Sequence, residues 1–148
     1  MPDERFRVAA AVYGILRDDG RVLLLRRDGT DFRPGQLSLP AGHLDGGEDA
    51  VSGLVRELRE ELCVEADPRD CRLVLLMHTA PEDEDDQEYL HLFFTVDRWR
   101  GVPVIGEPGK CSELRWVDAA ALPGDVVDYV AEALAAIGRG DTLALRGW

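Results

Sequence analysis

Glu57, Glu60 and Glu61 stand at i, i+3 and i+4 in a stretch whose apolar residues recur at helical spacing. On a helix, that spacing sets the carboxylates side by side on one face. Like charges so placed cost a few tenths of a kcal/mol per pair, roughly, and Arg56 can compensate Glu60 at i, i+4 without neutralising all of them. Spacing alone leaves two readings open. One is a solvated acidic face. The other is an all-oxygen site for a hard divalent cation, since Mg²⁺ typically takes one or two carboxylates together with waters and substrate phosphates.

The surrounding residues form a longer pattern: Gly42, five residues, Glu48, seven residues, Arg56-Glu57-Leu58, one residue, Glu60-Glu61, one residue, then Cys63 and Val64. This resembles the Nudix box, and the approach Leu39-Pro40-Ala41-Gly42 is similar to that of the MutT-like members. A single position departs: Cys63 stands where the family has glycine, at a helix end that often needs positive φ.

The resemblance implies a Nudix diphosphohydrolase, a pyrophosphatase acting on phosphorus-containing anhydrides, with Mg²⁺ as cofactor and Mn²⁺ as an alternative. It implies metal ligation by Glu57, Glu60, Glu61 and the Ala41 carbonyl. It gives Arg56 and Glu48 supporting roles in orienting the carboxylates and the loop. The reaction would be metal-assisted substitution at phosphorus, breaking P–O–P in a nucleoside triphosphate or nucleoside diphosphate derivative. Glu57 is the first candidate for general base. Glu107, in the run Glu107-Pro108-Gly109-Lys110-Cys111, is the second, and Glu113 is a further alternative. A nucleotide-binding regulatory module on the same fold is the rival reading, and the full set of box carboxylates counts against it. An isomerase of the same fold needs a cysteine and glutamate pair that has no convincing match here.

Composition bounds the partners. The 148 residues carry 17 basic and 29 acidic side chains, a formal charge of −12, which disfavours a broad footprint on nucleic acid or anionic lipid. Any phosphate must be met locally, by a cation on carboxylates or by a few arginines. Arg26 and Arg27, closing an apolar run, and His43, inside the box loop, are the candidate substrate contacts. The start, Met1 to Arg7, lacks an apolar leader and no stretch approaches a membrane span, so a cytoplasmic protein is expected. Cys63, Cys71 and Cys111 suggest reduced thiols rather than a disulfide set or a zinc site. A homodimer is left open.

The elements that must position these residues are legible in outline. Arg7–Leu16 and Val22–Leu25 read as strands joined at Asp18-Asp19-Gly20. Residues 28–47, punctuated by Gly29, Pro34, Gly35, Pro40, Gly42, Gly46 and Gly47, read as a long structured loop with an extended piece at Leu37–Pro40. Val51, Leu54, Val55, Leu58 and Leu62 mark a helix of about four turns, with Asp45 and Glu48 as a capping-box-like start. Leu73–Met77, Tyr89–Val96 and Leu114–Val117 read as strands, the first two flanking the acidic connection Glu82–Asp86, which reads as solvated. Val126, Val127, Val130, Leu134 and Ile137 mark a second helix. The tail from Asp141 to Trp148 has no assignment. This order predicts an α/β fold, a mixed sheet sandwiched between helices, in a single domain over 1–148. The aromatics Phe32, Tyr89, Trp99 and Trp116 are open to stacking or packing, and His43, His78 and His91 are too scattered for zinc.

Overall fold

The computed structural model describes residues 4–148, so the first part of the charged stretch Met1–Arg7 lies outside the described residues. Strand β1 (Ala9–Asp18) turns through Asp19 and Gly20 into β2 (Arg21–Arg27). Both turn residues have positive φ, 52° and 76°, the handedness that suits a two-residue hairpin. Short strands β3 (Leu37–Ser38) and β4 (Ala41–His43) follow, then helix α1 (Ala50–Leu62). A single 3-10 turn leads into β5 (Cys71–Thr79), then come β6 (Tyr89–Val96), β7 (Cys111–Asp118), helix α2 (Asp128–Gly138) and β8 (Leu143–Arg146).

The strands form one mixed sheet in the order β3-β2-β1-β6-β5-β8, with β4 also pairing with β1 and β7 with β2. β1 is the pivot. It runs parallel to β6 along one edge, and its other edge is shared between β4, at Ala11–Tyr13, and β2, at Arg17–Asp18. Strand alternation sends Ala11, Tyr13 and Ile15 to the α2 side, where they pack with Phe93, Val127, Val130 and Ala133. Val12 and Leu16 face α1 and join Leu54, Leu58, Leu62, Phe94 and Val96. The expected α/β sandwich is the observed one. Gly14 brings α1 close to the sheet, because a Cβ there would meet Leu58 Cδ2 at 3.0 Å and Leu54 Cδ1 at 3.3 Å.

One local expectation is corrected and one unassigned stretch gains a structure. The helix cap is Asp49, whose carboxylate accepts from the Ser52 N–H at 2.9 Å, and not an Asp45/Glu48 box. Glu48 is engaged instead by Arg56, a stronger charged partner. The unassigned tail contributes β8, parallel to β5, held down by Arg146 and by the Trp148 indole N–H donating to the His78 carbonyl at 3.2 Å.

Cys63 ends α1 in the left-handed region, φ 57° and ψ 32°, and its N–H donates to the Arg59 carbonyl at 3.1 Å. A side chain there is strained where glycine would not be. Cys63→Gly is expected to raise stability by up to about 1 kcal/mol. Urea unfolding with an unchanged slope and a higher midpoint would bear this out, and an unchanged or lower midpoint would contradict it.

Candidate active site

The buried face of α1 leaves its acidic face toward β4. At Gly42 the approach is so close that a Cβ would overlap the carboxyl carbon of Glu57, which gives the first glycine of the box a physical reason. Arg56 organises the carboxylates around it. Its Nε and Nη2 donate to the two oxygens of Glu48 at 3.0 and 2.7 Å, while Nη1 donates to Glu57 at 2.9 Å and to Glu60 at 3.3 Å. Glu48 thus holds the arginine from the loop, and the arginine holds two carboxylates of the helix.

Glu61 lies deeper. Its Oε2 accepts from the Ala41 N–H at 3.1 Å, which ties α1 to the start of β4 and places the Ala41 peptide among the carboxylates. Burial, reinforced by the charge of Glu57, pushes the Glu61 carboxyl up to about 8, and burial also raises Glu57. The cause is removal of charge from water next to like charge.

Glu107 reaches the same place from the loop between β6 and β7. That loop is pinned to the end of α1, where Gly106 N–H donates to the Glu61 carbonyl at 2.9 Å and Val104 N–H to the Leu62 carbonyl at 3.0 Å. A Cβ at Gly106 would run into the Glu60 carbonyl, so a glycine is needed for the approach. Lys110 stands 3.3 Å from Glu107 and balances one charge.

These groups line one side of a cleft of about 790 Å³. Arg27 and His43 line it too. Arg27 gives its hydrogen bonds to the Phe32 carbonyl at 2.8 Å and Thr30, and stacks over the Phe32 ring at 5.4 Å; among the described residues no carboxylate pairs with it. Arg26 does not belong to the cleft. Being next along the strand, it faces the other way and is ion-paired to Glu113 at 2.7 Å and Asp125 at 2.8 Å, so both Arg26 and Glu113 lie outside the cleft. Trp99 and Trp116 stack on each other, partly buried, against the α1-side core. The acidic connection is less free than its composition suggests, since Glu82 pairs with Arg33 at 2.8 Å and Arg146 at 3.3 Å and, with Asp86, borders the cleft. Tyr13, Thr79, His91, Tyr129 and Arg146 also line the cleft, from positions that no motif marks. Only His91 left a signal, a polar residue on the buried side of Leu90-His91-Leu92.

Among the described residues no three acidic, histidine or cysteine side chains are already gathered as a ligand set. Arg56 holds Glu57 and Glu60, and an amide holds Glu61. The donor chemistry nonetheless fits a hard divalent cation: oxygens only, with more carboxylates than nearby cationic groups, one of them buried.

The chain matches the family model of the NUDIX domain over residues 5–137. It belongs to the Nudix hydrolase family. It is 31% identical over 119 residues to an 8-oxo-dGTP diphosphatase of Haemophilus influenzae, covering 78% of this chain and 80% of the relative. It is 27% identical over 121 residues to an ADP-ribose pyrophosphatase of Methanocaldococcus jannaschii, covering 82% and 68%. Among solved structures it superimposes on a MutT NUDIX hydrolase from Burkholderia pseudomallei with a TM-score of 0.78 at 22% identity, over 88% of this chain and 98% of that one. The diphosphohydrolase class expected from the box agrees with these relatives, and Nudix enzymes generally use divalent metal ions.

The raised Glu61 carboxyl sets the pH response of the metal-free protein. Between its ordinary value of 4.5 and its folded value of about 8, the folded state keeps a proton that the unfolded state has released. Stability from this group is therefore full below the lower value and is lost as pH rises through the upper one. In chelator, the melting temperature of Glu61→Gln relative to that of the parent should rise as pH is raised from about 5 to about 8. Parallel melting curves across that range would contradict the assignment.

Proposed function

We propose that this chain, as one Nudix domain over 1–148, is an Mg²⁺-dependent diphosphohydrolase acting on a nucleoside triphosphate or a nucleoside diphosphate derivative in the cytoplasm. The observation that carries this reading is the cluster of Glu57, Glu60, Glu61 and Glu107 opening onto a cleft whose far side is aromatic and polar. The named activities of the relatives, on 8-oxo-dGTP and ADP-ribose, are both cleavages of a diphosphate linkage attached to a nucleoside, and they support the same class.

Glu57, Glu60, Glu61 and the Ala41 carbonyl would hold the cation, with Mn²⁺ able to replace it. When bound, the cation neutralises phosphate oxygens and makes a water more acidic. The residues do the rest. Arg56 keeps the Glu57 and Glu60 carboxylates on the cleft side of the helix. Glu57, half-buried and already raised toward proton acceptance, is the first choice to take the proton from the attacking water, with Glu107 the second. Arg27, projecting from β2 with no carboxylate partner among the described residues, meets a phosphate oxygen of the substrate. His43 lies between the carboxylates and the aromatic side, with Nε2 2.9 Å from the Tyr89 hydroxyl.

The test is a panel of nucleoside triphosphates, oxidised nucleotides, nucleotide sugars and dinucleoside polyphosphates, incubated with Mg²⁺ and resolved by product mass. Cleavage at a P–O–P bond that stops in chelator is expected, with Glu57→Gln and Glu61→Gln each lowering kcat by about 10²-fold or more. Binding without turnover across the panel would favour the regulatory module instead. Arg27→Ala should raise KM by about tenfold, the worth of one charged hydrogen bond, with a smaller change in kcat. A KM equal to that of the parent would remove Arg27 from the phosphate site.

A further inference from the structure

Away from the carboxylates the floor of the cleft is a chain of four hydrogen-bonding side chains from four separate elements. The Tyr129 hydroxyl lies 3.1 Å from the Tyr13 hydroxyl, which lies 2.8 Å from His91 Nδ1, and His91 Nε2 lies 3.0 Å from Thr79 Oγ1. All four residues line the cleft, and each is nine-tenths or more buried. The His91 ring is stacked against both Tyr89, at 5.2 Å, and Tyr129, at 5.1 Å, so its orientation is fixed. Burial pushes His91 down to about 4, which keeps the imidazole neutral with one N–H and one bare nitrogen.

A neutral imidazole between hydroxyls allows two proton arrangements with the same heavy atoms. In the first, Tyr129 donates to Tyr13, Tyr13 donates to His91 Nδ1, and His91 Nε2–H donates to Thr79, whose own O–H is then free to donate into the cleft. In the second, Thr79 donates to His91 Nε2, His91 Nδ1–H donates to Tyr13, and Tyr13 donates to Tyr129, whose O–H becomes the free donor. Each reversal exchanges donor for acceptor at the two ends and leaves the net charge at zero. Among the described residues neither terminal hydroxyl has another side-chain partner.

The place suits the base of a nucleotide. Gly42 and His43 of β4 sit two strands from His91, in the register His43, Ala11, His91, which is about 10 Å across the sheet. The diphosphate would lie over the carboxylates and the base over the β6 and β5 end, with Phe32 and Tyr129 at its side, 6.4 Å apart between centroids.

The geometry points to a base subsite whose hydrogen-bonding face is set by the Tyr129–Tyr13–His91–Thr79 chain and inverts to match the ligand, so that purines with opposite donor and acceptor edges are taken alike. Adenine presents an amino donor beside a bare ring nitrogen; hypoxanthine presents an oxo acceptor beside a ring N–H. A rigid polar pocket rejects one of two such edges, because a buried donor or acceptor is left unpaired. A terminal hydroxyl that switches between donor and acceptor as the chain reverses can meet the amino group of one or the oxo group of the other. His91 is the positioning residue of this device, since its tautomer couples the two tyrosine hydroxyls on one side to Thr79 on the other.

This inference rests on the nucleotide reading above, and its test is binding rather than turnover, so the two can fail separately. Titration calorimetry with adenosine and inosine 5′-monophosphates gives a ratio of dissociation constants in which any shared loss, from a perturbed fold or phosphate site, cancels. The parent protein should bind both with constants within about tenfold of each other. His91→Phe, which keeps an aromatic ring between Tyr89 and Tyr129, should change that ratio by at least about fivefold, as should Thr79→Val, which alters one end only. Either folded variant meeting that mark supports the inference. It is overturned if the parent binds neither nucleotide, if it prefers one by more than about tenfold, or if both variants keep the parent ratio. Binding as expected with no hydrolysis of any diphosphate would overturn the proposed enzyme and leave this subsite standing.

Discussion

Arg56 lies within ion-pairing distance of four carboxylates, at 2.7 Å from Glu48, 2.9 Å from Glu57, 3.3 Å from Glu60 and 3.7 Å from Asp45. One guanidinium cannot neutralise that charge, yet the geometry of its donors fixes where each acidic group points. Glu48 anchors the arginine to the loop, and the arginine in turn brackets Glu57 and Glu60. Glu61, beyond its reach, is held by a backbone N–H and carries the largest desolvation among the helix carboxylates. A site built this way is costly in the absence of a counter-charge, and it is the kind of cost that a bound divalent cation removes.

The fold serves this arrangement through close approaches. α1 lies on the sheet through Gly14, meets β4 at Gly42, and receives the Glu107 loop at Gly106, three positions where a Cβ would press on a neighbour. β1 links everything, because its partners β4, β6 and β2 supply the Ala41 peptide beside the carboxylates, His91 of the polar floor and Arg27 respectively. The cleft is therefore walled by rigid strands on two sides, and its chemistry changes from acidic to aromatic across the width of the sheet. That division matches a substrate with charged phosphates at one end and a flat, hydrogen-bonding base at the other.

Much of this could be read from the chain, and the failures have physical causes. Long periodic segments were legible: the helix through Leu54, Leu58 and Leu62, and the strands at Tyr89–Val96 and around Leu114–Val117, follow from burial of one face. β4 and β8 were not, since three residues containing a glycine and four half-exposed residues show too little alternation to register. The neighbours Arg26 and Arg27 are equivalent in sequence but point to opposite faces of a strand, and the pleat phase that decides which one faces the cleft is set by pairing with β7. The helix cap fell on Asp49 because Glu48 had a better partner in space. Tyr13, Thr79, His91 and Tyr129 converge from positions far apart in the chain, and no local pattern announces such a contact.

Glu57 and Glu60, braced by Arg56, and Glu61, held by the Ala41 N–H, are together the proposed ligands of a divalent cation. Mn²⁺ titration followed by the loss of the free-ion electron paramagnetic resonance signal reads that directly, without a substrate. Uptake by the parent protein is expected, with affinity weakened by about tenfold or more in Glu57→Gln and in Glu61→Gln, each folded as judged by circular dichroism. Equal Mn²⁺ affinity in all three proteins, or no uptake by any of them, would contradict it.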